Sequence, residues 1–286
     1  PTLPPMAAPS PLRRVLRPLG RAIRTYRLIA DGDRILVAIS GGKDSSVLLY
    51  VLRDLQSRAP VRFELGAVTI DAGWGGHPVE PLQRYCDALG VPLVVQTATI
   101  LDTVMDKLGD DETPCPLCAR LRRGAIYSAA RREGYPVVAL GHHADDLIET
   151  LLLNQLFNGR IKAMPPVLEA DDGVTTVIRP LLLTPEADTR ALATAAALPA
   201  FPCQCLGAYR PELKRPEVKK LVARLEREHP GSWSSMLTAA TTEEERDLAD
   251  PRWLPPREKP GEHAGGRPPA PPGVEEIAKL QLGRGT

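Results

Sequence analysis

The chain reads Arg34-Ile-Leu-Val-Ala-Ile39, then Ser40-Gly-Gly-Lys-Asp-Ser45-Ser46, then the apolar run Val47-Leu-Leu-Tyr-Val-Leu52. A continuous run of branched apolar residues is the pattern of a strand covered on both faces, and the segment after it has the length and spacing of a helix. The stretch therefore predicts a strand, a glycine-containing turn and a helix that begins near Ser45. Gly41 and Gly42 let backbone N–H groups approach a phosphate closely, and the positive end of the helix points into the same space. The turn is suited to an anion. Its glycine spacing fits neither G-x-x-x-x-G-K-[ST] nor G-x-G-x-x-G.

Ser40-Gly-Gly-Lys-Asp-Ser45 resembles instead the loop of the N-type ATP pyrophosphatases, the PP-loop superfamily, which cleave ATP between its α and β phosphates. The plainer alternative is a strand-to-helix turn that carries Lys43 and Asp44 without binding anything.

Composition sets broad limits. The chain has 286 residues, 43% of them hydrophobic and 25% charged, which is ordinary for a globular protein with a sizeable core. No apolar run approaches the roughly 20 residues that span a bilayer, and the N-terminus lacks a signal-peptide pattern, so a cytoplasmic protein with no membrane partner is expected. The net charge of +1 hides an uneven distribution. Arg13, Arg14, Arg17, Arg21, Arg24 and Arg27 crowd one segment, and Arg120, Arg122, Arg123, Arg131 and Arg132 another. The five cysteines, at 86, 115, 118, 203 and 205, are odd in number and argue against a disulfide framework.

Taken in order, residues 1–12 are Pro-rich, and Leu12 to Ile29 has the spacing of an amphipathic helix with a basic face, either a solvated face or an RNA contact. Strands are expected at 34–39, 63–70, 92–98, 136–140 and 175–182. Helices are expected to about 57, over 78–89, 101–108, through 132, over 147–157 and over 185–197. This alternation predicts a doubly wound α/β domain with a parallel, Rossmann-like sheet over 31–200. Residues 1–30 would add the basic helix, 201–249 a small helical region with a cysteine pair, and 250–286 a Pro-rich tail without a core. Ligands bind outside the carboxyl ends of such strands, which puts Asp71 at the end of the second strand and Gly141 and His142 at the end of the fourth beside the nucleotide. Cys86, inside a helix, reads as a small buried hydrophobe.

Cys115-Pro-Leu-Cys118 could be a redox dithiol, half of a zinc site or part of an iron–sulfur ligand set. The motifs taken together extend the resemblance. Ser-Gly-Gly-Lys-Asp-Ser at 40–45, Cys-x-x-Cys with Arg-Leu-Arg-Arg-Gly at 115–124, Gly-His-His-x-Asp-Asp at 141–146, Lys162-Ala-Met-Pro-Pro166, Val177-Ile-Arg-Pro180 and Pro202-Cys203 occur in that order. This series is similar to the tRNA 2-thiocytidine synthetases, which thiolate cytidine 32 of tRNA. The resemblance covers roughly residues 30–240 and implies an adenine nucleotide α-hydrolase-like fold and an enzyme that needs ATP, Mg2+ and a [4Fe-4S] cluster on three cysteines. Cys115 and Cys118 map directly onto the family pattern. Downstream, Pro202-Cys203-Gln-Cys205-Leu-Gly207 departs from the family's Pro-Cys-x-x-Cys-Gly, favouring Cys203 as the third ligand and leaving Cys205 open.

The implied chemistry activates O2 of cytosine by adenylation, replaces it with sulfur carried on the cluster, and releases AMP and pyrophosphate. Ser40, Gly41, Gly42, Ser45 and Ser46 would cradle phosphates, and Lys43 would offset charge as pyrophosphate departs. Asp44, Asp145 and Asp146 are candidate magnesium ligands, with Asp145 also a candidate catalytic group; Asp44 could equally be a helix cap, and carboxylates at a helix start are favoured by the dipole in any case. Arg122, with Arg123, would neutralise developing charge or hold tRNA phosphate, or would lie on a solvated helix face. The expected partners are tRNA and a sulfur donor, either a cysteine desulfurase or inorganic sulfide, with a homodimer expected by analogy. Three other readings remain open on sequence: a lysidine-synthetase-like tRNA ligase, which would not require the cysteines; a PP-loop sulfurtransferase acting on a small metabolite; and a nucleotide-binding module with structural zinc.

Overall fold

A computed structural model describes residues 9–73, 75–107, 114–202 and 214–242. A six-stranded sheet lies at its centre, in the order β3-β2-β1-β4-β6-β5. The strands are β1 (Asp33–Ala38), β2 (Phe63–Asp71), β3 (Leu93–Thr97), β4 (Val137–Ala139), β5 (Val167–Glu169) and β6 (Thr176–Ile178). The first four and β6 run parallel, and β5 pairs antiparallel with β6 at the edge. The expected parallel α/β sheet is therefore present, with one correction: the strand expected at 175–182 is the sixth, because a short edge strand precedes it. β5 has no sequence signal, since its three residues, Val167, Leu168 and Glu169, are all exposed and show no alternation.

The helices are α1 (Pro9–Tyr26), α2 (Lys43–Gln56), α3 (Val79–Leu89), α4 (Ile100–Lys107), α5 (Cys115–Arg132), α6 (Ala144–Asn158), α7 (Glu186–Ala195), α8 (Lys214–Glu228) and α9 (Ser232–Thr241). Successive strand side chains point to opposite faces of a sheet, and β1 divides accordingly. Ile35 and Val37 enter one core with residues of α1, α2, α3 and α7, while Leu36 enters a second core with Val68, Val138, Ile100, Val104 and Ala129 on α4 and α5. A third, smaller cluster joins Ile148 of α6 to Val218 and Val222 of α8, with Trp233 and Leu237 of α9 packed against it.

The chain moves from β1 outward to β2 and β3 and then returns to the other side of β1 with β4. The switch point of the sheet thus lies between β1 and β4, where crevices for ligands form in open α/β sheets. Both loops that leave this point carry the expected site residues. The basic helix α1 is integrated into the main domain: Leu12, Val15, Leu19 and Ala22 are buried in the first core, and Arg14 pairs with Asp188 of α7 at 3.0 Å. Its arginine-rich face is the outer one. No helix among the described residues is long and apolar enough to cross a membrane.

Leu19 is fully buried. Replacing it with Ala should cost about 2–5 kcal/mol, as core leucine truncations do. Urea unfolding of the Leu19→Ala variant at the wild-type midpoint and slope would show instead that α1 is an independent arm.

Candidate active site

β1 delivers Ser40, Gly41 and Gly42, and α2 starts at Lys43, two residues before the position expected from sequence. Gly41 has φ +85°, and a Cβ there would lie 3.3 Å from Pro78 Cγ and 3.4 Å from Phe201 Cδ2. Both the left-handed backbone and the close neighbours require glycine. The turn is held by its own serines: Ser40 N donates to Ser45 Oγ at 3.2 Å, Ser45 Oγ donates to the Gly42 carbonyl at 2.9 Å, and Ser46 Oγ reaches the same carbonyl at 3.3 Å. Gly42, not Asp44, is the N-cap of α2, and no side chain caps the helix. Its first-turn N–H groups are therefore offered to an anion.

Across the switch point, β4 delivers Gly141. A Cβ on Gly141 would lie 3.0 Å from Ser45 N and 3.1 Å from Asp44 C. The two loops meet backbone to backbone.

Lys43 and Asp44 lie in a network of charges. Lys43 Nζ donates to Asp44 Oδ2 at 2.8 Å and to Glu186 Oε1 at 2.7 Å. Burial works against the ammonium, yet these two bonds outweigh it and hold the Lys43 pKa above the ordinary lysine value. Glu186, at the start of α7, also accepts from Arg190 at 2.8 Å and from Lys219 of α8 at 2.5 Å. Burial raises its pKa, but the bonds from Lys219 and Lys43 prevail and bring it to about 2. Thr189 Oγ1 donates to Asp44 Oδ1 at 2.6 Å.

The carboxylates of α6 are engaged by protein donors. Asp145 Oδ2 accepts the Glu186 backbone N–H at 2.7 Å, and Asp145 Oδ1 accepts Trp233 Nε1 at 3.0 Å. Asp146 closes a capping box with His143: its Oδ2 accepts His143 N at 3.1 Å while its own N–H donates to His143 Nδ1 at 3.3 Å. That acceptor role puts the neutral ring's proton on Nε2, which faces Asp44 Oδ2 at 3.7 Å. Asp146 Oδ1 accepts Arg215 of α8 at 2.9 Å. The His142 pKa is pushed down to about 4, chiefly by burial, so the ring is neutral at pH 7, and its buried Nδ1 has no hydrogen-bond partner among the described residues.

Asp71 ends β2 and accepts the Gly73 N–H at 3.1 Å. His77, close by, is bonded through Nε2 to Thr69 Oγ1 at 2.7 Å and is held below its ordinary pKa by burial, with the Arg122 charge acting in the same direction. Arg122 therefore lies within electrostatic range of His77. Cys115 opens α5, and Cys118, half-buried in its first turn, packs against the second core. A helix N-terminus stabilises thiolates. The Cys115 side chain, Cys203 and Cys205 lie outside the described residues. Phe201, two residues before Cys203, donates its backbone N–H to the Gly41 carbonyl at 2.7 Å. Cys86 is fully buried, as expected of a small core residue, and burial pushes its thiol up to about 12.

A family model for the PP-loop domain matches residues 13–199. The tRNA-cytidine(32) 2-sulfurtransferase of an Anaeromyxobacter species is 48% identical over 227 residues, covering 79% of this chain and 75% of its own. That of Deinococcus radiodurans is 45% identical over 244 residues, covering 84% and 81%. The chain belongs to the tRNA-cytidine(32) 2-sulfurtransferase family. A solved U34-tRNA thiolase, NcsA from Methanococcus maripaludis with its [4Fe-4S] cluster, shares the fold at TM-score 0.64 and 24% identity, over 84% of this chain and 82% of that one.

In this member of the 2-sulfurtransferase family, five side chains at the site escaped the reading of the sequence: Glu186, Thr189, Arg215, Lys219 and Trp233. Glu186 and Asp188 stand in the first turn of α7, where the helix dipole favours carboxylates whether or not they serve a site. Arg215 and Lys219, four residues apart, could have been read as a cationic stripe on α8, though nothing local said which carboxylates it meets.

Two substitutions probe this geometry. Gly141→Ala should push the loops apart at a cost of about 1–3 kcal/mol and weaken ATP binding measured by calorimetry; unchanged affinity would contradict the close approach. Glu186 has a folded pKa far below the ordinary 4.5, so its contribution is present above that value and is lost as pH falls towards 2. The wild type should therefore lose roughly 1–3 kcal/mol more than Glu186→Gln between pH 5 and pH 2.5 in chemical denaturation. Parallel acid limbs would contradict the ion network.

Proposed function

We propose that this protein thiolates C2 of cytidine 32 in tRNA, using ATP to activate the base. The observation that carries the reading is the hydrogen bond from Phe201 to the Gly41 carbonyl, which ties the chain leading to Cys203 to the phosphate turn. The kinship with the 2-sulfurtransferases supports the same acceptor, and is the reason to prefer it over a lysidine-type ligation, a small-metabolite acceptor or a structural zinc module.

In the activating step, O2 of cytosine attacks the α-phosphorus of ATP, an O–P bond forms, and the α–β bridge breaks to release pyrophosphate. The uncapped start of α2 and the serines of the turn would receive the phosphates, and Lys43, kept protonated by Asp44 and Glu186, would offset the charge on the departing pyrophosphate. Magnesium would arrive with ATP as part of the substrate. Asp44 is the carboxylate carried by the turn itself; Asp145 and Asp146, with oxygens already engaged, would act chiefly by holding α7, α8 and α9 around it. His142, neutral and with an unpartnered Nδ1, would contact the adenosine or the α-phosphate. Asp71 and Arg122 would border the nucleotide and the acceptor at the neighbouring strand end.

The donor set suits an iron–sulfur cluster. Cys115, Cys118 and Cys203, with Cys205 as the alternative third thiol, are soft ligands in a chain with few competing ones, and the helix start favours their thiolate form. Bound there, a [4Fe-4S] cluster would supply the sulfur that replaces O2, with AMP leaving and carrying the former base oxygen. The sulfur would reach the enzyme from a cysteine desulfurase or as inorganic sulfide.

Mass spectrometry of tRNA nucleosides from a deletion strain should show loss of 2-thiocytidine. Plasmid-borne wild type should restore it, and Cys118→Ala or Lys43→Ala should lower it at least about 100-fold, the scale on which loss of one electrostatic catalytic group is felt. Unchanged 2-thiocytidine in the deletion strain would overturn the assignment. Restoration by Cys118→Ala would overturn the assignment of the cysteines to a sulfur-carrying cluster while leaving thiolation in place.

A further inference from the structure

Beyond the catalytic cradle, a groove of about 540 Å³ is lined by Thr150, Asn154, Asn158, Arg160, Lys162 and Ala163. It runs along the second half of α6, the helix that begins at Asp145 and Asp146, and the segment that follows it. We propose that this groove holds the phosphate backbone of the tRNA acceptor next to the base being modified. The inference rests on the tRNA thiolation reading and assigns a surface to its second substrate.

The lining has the chemistry of a phosphate site. Backbone phosphates of nucleic acids are held mainly by Arg and Lys together with Thr, Ser and Asn. Neither Arg160 nor Lys162 forms an ion pair among the described residues, and both are exposed. Many other arginines are already engaged within the protein: Arg14 faces Asp188, Arg131 lies 3.8 Å from Asp172, and Arg132 bonds Glu133 and Gln96. Arg160 and Lys162 are thus two cations, unpaired among the described residues, in the lining of a groove, whereas the arginines of α1 lie on the outer face of a helix.

The groove is also braced. Asn154 Nδ2 donates to the Lys162 carbonyl at 2.6 Å, and Asn158 Nδ2 donates to Asn154 Oδ1 at 3.0 Å. Farther along the same segment, Arg179 holds the Pro165 carbonyl with Nη1 at 2.5 Å and the Pro166 carbonyl with its backbone N–H at 3.1 Å. Lys162 thus projects from a backbone fixed on both sides, unlike a lysine on a loose loop. This accounts for Lys162-Ala-Met-Pro-Pro166 and Ile178-Arg179-Pro180, which take no part in the phosphate turn.

The groove connects with the catalytic edge through one side chain. Arg215 bonds Asp146 at 2.9 Å and Glu149 at 3.3 Å with Nη1, and Thr150 Oγ1 at 3.1 Å with Nη2. It offsets part of the negative charge of the two carboxylates, which would otherwise repel a phosphate at this end. Lys214, its ammonium 4.5 Å from the centre of the exposed Phe157 ring, adds a cation at the far end. From Asp146 to Asn158 the helix extends about 18 Å, enough for a strand to pass from the groove to the cradle. An acidic protein, such as a sulfur donor, is the competing occupant. The small amide and hydroxyl lining favours phosphate.

The test uses the full chain, an unmodified tRNA transcript and the double variant Arg160→Ala/Lys162→Ala. Removing a cation that binds one phosphate should reduce the slope of log K against log salt by about 0.7–0.9. The double variant should therefore bind tRNA about tenfold more weakly at about 0.15 M salt, with a slope smaller by about 1.5 and ATP affinity unaltered. Lys162→Arg should retain the wild-type slope. An unchanged slope and affinity would overturn the proposal, and so would intact tRNA binding with impaired sulfur delivery from a protein donor, which would assign the groove to that protein. If the wild type shows the expected slope yet produces no 2-thiocytidine, the thiolation reading fails and the groove stands as an RNA site; if it thiolates normally and the variant's slope does not move, the groove alone fails.

Discussion

The site depends above all on the close approach between the backbone of Gly141 and the first turn of α2. β1 and β4 are neighbours in the sheet but are separated by about a hundred residues of chain, and their loops can touch only if the side chain between them is absent. A Cβ at Gly141 would sit 3.0 Å from Ser45 N. That proximity puts the phosphate turn, His142 and the start of α6 into one crevice at the sheet's switch point. The ion network of Glu186, Arg215 and Lys219 is attached to these two loops through Lys43 and Asp146.

The C-terminal helices are bound to the crevice by polar contacts as well as by packing. Trp233 bonds Asp145, Arg215 bonds Asp146, and Lys219 bonds Glu186, which in turn holds Lys43. Buried or half-buried carboxylates are costly unless paired, and here the cations that pair them come from a helix far away in sequence. The electrostatics of the turn are therefore set partly by α8. A nucleotide phosphate entering the cradle would compete with Asp44 and Glu186 for Lys43, giving the lysine a means of responding to the ligand.

Much of this was legible in the residues. The alternation of branched apolar runs with amphipathic segments predicted the α/β sheet, because buried parallel strands and covering helices leave distinct periodicities. The turn at Ser40 to Ser46 and the pairing of Gly141 with a strand end were also readable, since glycine and serine spacing is a local property. β5 was not readable: three exposed residues at an edge owe their strand form to pairing with β6 rather than to their own pattern. Asp145 and Asp146 were read as metal or catalytic candidates from their motif, whereas their hydrogen bonds give them partners on α7, α8 and α9.

The sequence by itself determined the class of fold and the glycine- and serine-containing turn after β1, because each depends on residues adjacent in the chain. Only the tertiary structure decided how the charges are shared. Which cation neutralises Asp146, what keeps Lys43 protonated, and which arginines and lysines remain for a partner depend on distances between residues tens to more than a hundred positions apart, and those distances are set by how α6, α7 and α8 pack against the sheet and one another.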